Sequence, residues 1–190
     1  MLGVQPAFRP GPAGLSIVLN TLALLGVVGA LAFAFAWQFL YNELPCPLCL
    51  LQRVAFIMAG VGLLLNVRFG ASPLHYAVVL ASALGGAAAS MRQVLLHIAP
   101  GDAGYGMAFL GMHFYTWALV SFVALMVYCT VMLAVDRRQA DNPEPRAAGT
   151  VAVAVMWLFF AVAAANVLFT TLECGFGACP DDPTEYLWLP

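Results

Sequence analysis

The residues best equipped for chemistry crowd into Cys46-Pro47-Leu48-Cys49-Leu50-Leu51-Gln52-Arg53, where two thiols and one guanidinium sit between long apolar runs. Two cysteines separated by two residues can close a small ring and take up or release two electrons by thiol–disulfide exchange. Pro47 suits the first turn of a helix, where its missing N–H would have no partner in any case. That places Cys49 in an opening turn, at the positive end of a helix dipole, which favours the thiolate and makes this sulfur the better nucleophile and leaving group. Arg53 follows Cys49 by four residues, so on a helix the two share a face and a fixed positive charge favours the thiolate further. A blander reading stands beside this one. A CxxC alone does not decide the matter, and Arg53 can simply extend to lipid headgroups.

The elements that must position this cluster are apolar. The chain is 63% hydrophobic and 8% charged, which excludes a soluble domain of 190 residues and indicates a polytopic membrane protein. A hydrocarbon core takes about 20 helical residues to cross, and five runs approach or exceed that length: 15–40, 50–67, 74–98, 113–135 and 151–172. The fold class expected is an all-α membrane helix bundle in a single domain. The second run is the weakest, because Gln52 and Arg53 leave only the part from Val54 onward cleanly apolar. Ala32-Phe33-Ala34 resembles a signal-cleavage site, but the apolar stretch continues to Leu40, so the first run is expected to be a retained helix.

The chain has no lysine, so orientation rests on arginine. With the N-terminus cytoplasmic, Arg9, Arg68, Arg137, Arg138 and Arg146 lie inside, and only Arg53 and Arg92 lie toward the outside. The CxxC then stands at the outer surface, and after five crossings so does the tail 173–190 with Cys174 and Cys179. Two cysteine pairs facing one compartment strengthen the redox reading. The fifth cysteine, Cys129, lies toward the inner end of the fourth run and reads as a buried small hydrophobe. Four thiolates can also hold zinc, although an oxidising outer compartment favours disulfides. No metal and no nucleic acid are expected.

Between these runs, Ala81 to Ser90 is a dense small-residue patch suited to close helix packing in lipid. Arg92, Gln93 and His97 follow at the outer end of that helix, and an ionisable residue at membrane depth is a functional candidate by default. His113 stands at the entry to the fourth run. The loop 99–112 carries glycines at 101, 104, 106 and 111 and no cysteine. Beyond the second cysteine pair, Asp181, Asp182 and Glu185, with Glu173 before it, make the tail acidic, a candidate docking strand or simply a soluble terminus.

On these residues the chain resembles the disulfide bond formation protein B (DsbB) family of bacterial inner-membrane thiol oxidases. The resemblance is carried by Cys46-Pro47-Leu48-Cys49 with Gln52-Arg53, by Arg92-Gln93, and by Phe109-Leu110-Gly111-Met112 followed by Thr116-Trp117-Ala118-Leu119; it covers residues 15–135. It implies a four-helix core and a protein-disulfide:quinone oxidoreductase on the periplasmic face. Such a protein reoxidises a soluble DsbA-like dithiol partner and passes two electrons to a membrane quinone, ubiquinone or menaquinone. By the same resemblance Cys49 contacts the quinone as thiolate or adduct, Cys46 is its exchange partner, Arg53 holds the quinone oxygen, and Arg92 contributes to the same pocket. A preorganised arginine at a low-dielectric site would stabilise charge developing on that oxygen.

The sequence departs from that pattern. Most members carry the second pair in the loop between helices three and four and stop after four helices, whereas here a fifth helix delivers Cys174 and Cys179. The expectation is that this tail pair takes over the shuttle, with Cys179 meeting the soluble partner and Cys174 exchanging with Cys46. Two other readings remain open: a reductant conduit running the opposite way, and a non-catalytic scaffold with a structural disulfide or zinc site.

Overall fold

A computed structural model describes residues 12–137, 149–181 and 183–188, and among them the fold is all-helical, with a lone two-residue bridge between Phe109 and Met112. Five helices follow in order: α1 (Pro12–Tyr41), α2 (Pro47–Phe69), α3 (Pro73–Leu96), α4 (Phe114–Arg137) and α5 (Thr150–Cys174). All five are long and apolar enough to cross a membrane. Arg9, Arg138, Arg146, Asp182 and the side chain of Arg137 lie outside the described residues.

Local chemistry sets the helix ends. Pro47 opens α2, and Cys46 caps it in extended backbone (φ −66°, ψ 162°), its sulfur accepting the Cys49 N–H at 3.2 Å. The helix therefore starts three residues ahead of the expected 50–67 run, and the weak second run becomes a 23-residue span with Gln52 and Arg53 inside it. At α3, Ser72 accepts the Leu74 N–H at 3.3 Å in front of Pro73. α5 runs two residues beyond its expected end, so Glu173 and Cys174 belong to its last turn. Gly175 then leaves the helix at φ 62°, a backbone region that strains any side chain, and its N–H closes on Thr171 O at 2.8 Å.

Lipid supplies no hydrophobic drive between helices, so they associate through close packing and polar contacts. Gly86 of α3 admits the Phe122 ring of α4, and Gly60 of α2 admits the Phe159 ring of α5; a Cβ at either glycine would overlap the ring. Both rings are fully buried, and Phe122 also stacks on Phe56 of α2 at 4.2 Å between centroids. α2 is central, packing on α1, α3 and α5, while α3 carries α4. At the end of the bundle remote from Cys46, a polar network ties four helices. Asn20 donates to Tyr76 Oη at 2.8 Å, Tyr76 donates to Asp136 Oδ2 at 2.8 Å, and Asn66 donates to Asn20 Oδ1 at 3.1 Å.

Candidate active site

Cys46 and Cys49 form a disulfide, their Cα atoms 5.0 Å apart. Cys46 is buried, and Cys49 is half-buried in the first turn of α2, where the unpaired N–H groups of the helix start give a positive local field. Gln93 of α3 reaches across, its Nε2 donating to Cys46 Sγ at 3.2 Å and lying 3.5 Å from Cys49 Sγ. The orientation of that amide is fixed by Gln52, which donates to Gln93 Oε1 at 2.9 Å. Both glutamines are buried.

One turn along α2, Arg53 donates to Gln38 Oε1 at 2.8 Å, to Ala34 O at 3.2 Å and to Asn166 Oδ1 at 3.4 Å. These three acceptors are neutral, so no described carboxylate neutralises the guanidinium by direct contact. Cys49 and Arg53 line a single cavity of about 300 Å³, together with the aromatic side chains of Phe33, Trp37, Phe114 and Trp117. A flat apolar ring bearing a carbonyl oxygen fits those walls: the rings supply its contact surface and the guanidinium a partner for its oxygen. The loop after α3 is fastened over this region. Glu43 accepts the Met107 N–H at 3.0 Å, Tyr105 donates to Leu44 O at 2.7 Å, and Trp117 Nε1 donates to Phe109 O at 3.0 Å. In the same loop, Asp102 accepts the Gly104 N–H at 2.7 Å and pairs with His97 at 3.1 Å, which together hold its carboxyl below the usual carboxylate range. His113 stacks on Tyr115 with ring centroids 5.3 Å apart.

The second disulfide joins Cys174 and Cys179, with Cα atoms 4.6 Å apart. Cys174 is buried at the end of α5 and Cys179 is half-exposed. The tail then doubles back: the N–H groups of Leu187 and Trp188 donate to Glu173 O at 3.3 Å and to Leu172 O at 3.0 Å. This return brings Tyr186 to Gln38, whose Nε2 donates to the phenol oxygen at 2.8 Å. Burial pushes the Tyr186 phenol up from its ordinary value, against the opposing pull of that hydrogen bond. Cys129, in α4, is a buried free thiol.

The family model described as disulfide bond formation protein DsbB matches residues 17–105. This stretch, just under half of the chain, is similar to a DsbB domain. Proteins named disulfide bond formation protein B are similar to the chain. The one from Hahella chejuensis is 35% identical over 43% of this chain and 52% of its own length. The one from Chromobacterium violaceum is 36% identical over 53% of this chain and 65% of its own length. A disulfide bond formation protein B 1 from Pseudomonas savastanoi pv. phaseolicola is 39% identical over 43% and 52%. The chain thus spans about half to two thirds of the length of these relatives. No solved structure matches it.

The DsbB match covers α2, α3 and most of α1, and therefore the Cys46–Cys49 pair, Gln52, Arg53 and Gln93, but neither α4 nor α5. Arg92 lies within it too, yet its side chain is exposed on α3 and does not line the cavity. Its neighbour Gln93 occupies the inward position. Sequence alone assigns no role to Gln38 or Asn166, and marks Gln52 and Gln93 only as part of the motifs that carry the family resemblance. Two of them carried a signal. On α3 the buried positions Ala83, Gly86, Ser90 and Gln93 recur at helical spacing, and on α5 Phe159, Asn166 and Glu173 repeat every seventh residue on one buried face.

Proposed function

We propose that this chain is a membrane thiol oxidase. It accepts two electrons from a soluble dithiol protein of the DsbA type at the periplasmic face of the inner membrane and passes them to a membrane quinone. The observation that carries this reading is the sharing of one aromatic-walled cavity by Cys49 and Arg53, which stand one helical turn apart beside the disulfide. A bound quinone supplies the terminal oxidant, taking two electrons and two protons to become a quinol.

In this reading a client thiolate attacks the half-exposed Cys179, and the Cys174–Cys179 bond breaks as a mixed disulfide forms. The second client thiol then displaces Cys179, leaving the client oxidised and the tail pair reduced. Cys174 next attacks Cys46, and Cys49 leaves as the thiolate, favoured by the positive start of α2. Closure of Cys174–Cys179 releases Cys46 and restores the tail. Arg53, which no described carboxylate contacts directly, presents its positive charge toward a cavity with largely apolar walls, where an oxygen acquiring negative charge is stabilised more strongly than in water. The Cys46–Cys49 bond reforms as the pair loses two electrons and two protons.

The test is quinone absorbance followed in purified, detergent-solubilised protein supplied with quinone and a reduced dithiol protein. Reduction that requires both Cys49 and Cys179 is expected. Loss with Cys49→Ser alone would make the tail pair structural, and no reduction by wild type would favour the scaffold or zinc reading.

A further inference from the structure

The guanidinium of Arg53 is held in part from outside the DsbB-matched stretch. Asn166, on the buried face of α5, accepts from Nη1 at 3.4 Å. Gln38 accepts from the same nitrogen at 2.8 Å, and its own amide is oriented by donation to Tyr186 of the tail at 2.8 Å. Tyr186 is seated by ring contact with Phe169 of α5, centroids 6.2 Å apart, and by the return of residues 187 and 188 onto the end of that helix. On the same α5 face, seven residues after Asn166, Glu173 is 1% exposed, and neither of its carboxylate oxygens has a hydrogen-bond partner among the described residues. A buried face carrying Phe159, Asn166 and Glu173 is therefore built toward α2, not merely toward lipid.

We propose that Asn166 and Tyr186 are positioning residues for Arg53, so that the fifth helix and the tail aim the guanidinium at the cavity. An arginine fork binds a planar oxygen well only in a narrow range of orientations. Left to Ala34 O alone, its long side chain would sample many rotamers. Asn166 fixes the fork from α5, and Tyr186 fixes it through the amide of Gln38. This inference rests on the reading of the cavity as a quinone site. It adds that the segment carrying the second disulfide also completes the binding site.

The test compares wild type with Tyr186→Phe, Asn166→Ala, Arg53→Met and the double variant Arg53→Met/Tyr186→Phe. Binding of a short-chain quinone is read, without turnover, from quenching of tryptophan fluorescence, since Trp37 and Trp117 both line the cavity. The Michaelis constants for quinone and for the dithiol protein are measured separately. Tyr186→Phe keeps the ring and removes only the hydroxyl. It and Asn166→Ala are each expected to weaken quinone binding about threefold to tenfold, the worth of one hydrogen bond, with the dithiol constant unchanged. On the Arg53→Met background, Tyr186→Phe is expected to add nothing. Wild-type quinone affinity in both single variants, or an equal loss from Tyr186→Phe on both backgrounds, overturns the positioning role while leaving the oxidase reading intact. Absence of quenching in wild type, or quinone affinity unaffected by Arg53→Met, overturns the quinone reading itself and this inference with it.

Discussion

Gln93 donates to Cys46 Sγ at 3.2 Å from a position 47 residues further along the chain. Its carbonyl oxygen accepts from Gln52 and lies 3.8 Å from Cys49 Sγ, which leaves the N–H groups of Nε2 to face Cys46. A donor aimed at sulfur favours the thiolate over the thiol. Gln93→Leu removes that donor and leaves Gln52 without its buried acceptor. A hydrogen bond to a charged group contributes about 1.5–3 kcal/mol, so reoxidation of the Cys46/Cys49 pair is expected to slow about tenfold to a hundredfold. Rapid mixing of the reduced protein with quinone checks this.

Packing makes a separate prediction. A side chain at Gly86 must displace the Phe122 ring, which is trapped against Phe56. Gly86→Val is expected to destabilise the bundle by about 1–3 kcal/mol through overpacking. Gly85→Val, one residue away with nothing within 4 Å of its Cβ position, is expected to be far milder. Thermal unfolding of both variants in the same detergent gives the comparison.

The polar network at the opposite end is expected to hold the helices together without acting on the redox site. Tyr76→Phe deprives Asp136 Oδ2 of its 2.8 Å donor and Asn20 of one acceptor, leaving it Ser16 O at 2.9 Å. Hydrogen bonds between membrane helices contribute about 0.6 kcal/mol on average and up to about 1.7. A loss of about 1–2 kcal/mol is therefore expected in equilibrium unfolding, with the quinone reduction rate at wild-type level.

Asp102 predicts a pH response. Its carboxyl is held low by the Gly104 N–H first and by His97 second. A carboxyl depressed in the folded state adds stability that is fully present above its unfolded pKa, about 3.9, and is lost as pH falls through the folded value. The 99–112 loop is accordingly expected to keep its protection at neutral pH and to lose it only below about pH 4. Asp102→Asn should abolish that step, with backbone hydrogen exchange across the loop as the readout.

Five spans are legible in the sequence because apolar runs of membrane length need no tertiary information. The start of α2 is legible from Pro47, although the apolar run begins later. Arg92 and Gln93 show where the reading stops. They are neighbours, about 100° apart around α3, and charge draws attention to the arginine. The buried stripe of Ala83, Gly86 and Ser90 decides which of the two faces the bundle interior, and it selects Gln93. Asn166 and Glu173 were hidden differently. An α5 treated only as a means of delivering Cys174 to the surface conceals that one of its faces is buried and polar.

Cys129 gives the chain an internal standard. It is the odd thiol, buried and outside both disulfides. Once the protein is denatured under conditions that block exchange, a thiol count can return only one, three or five per chain, according to whether two, one or neither of the disulfides is closed. An even count would report damage or an intermolecular bond. Parity alone thus separates states with only intramolecular disulfides from those bonded to another molecule, the mixed disulfide with a client included, without labelling any individual cysteine.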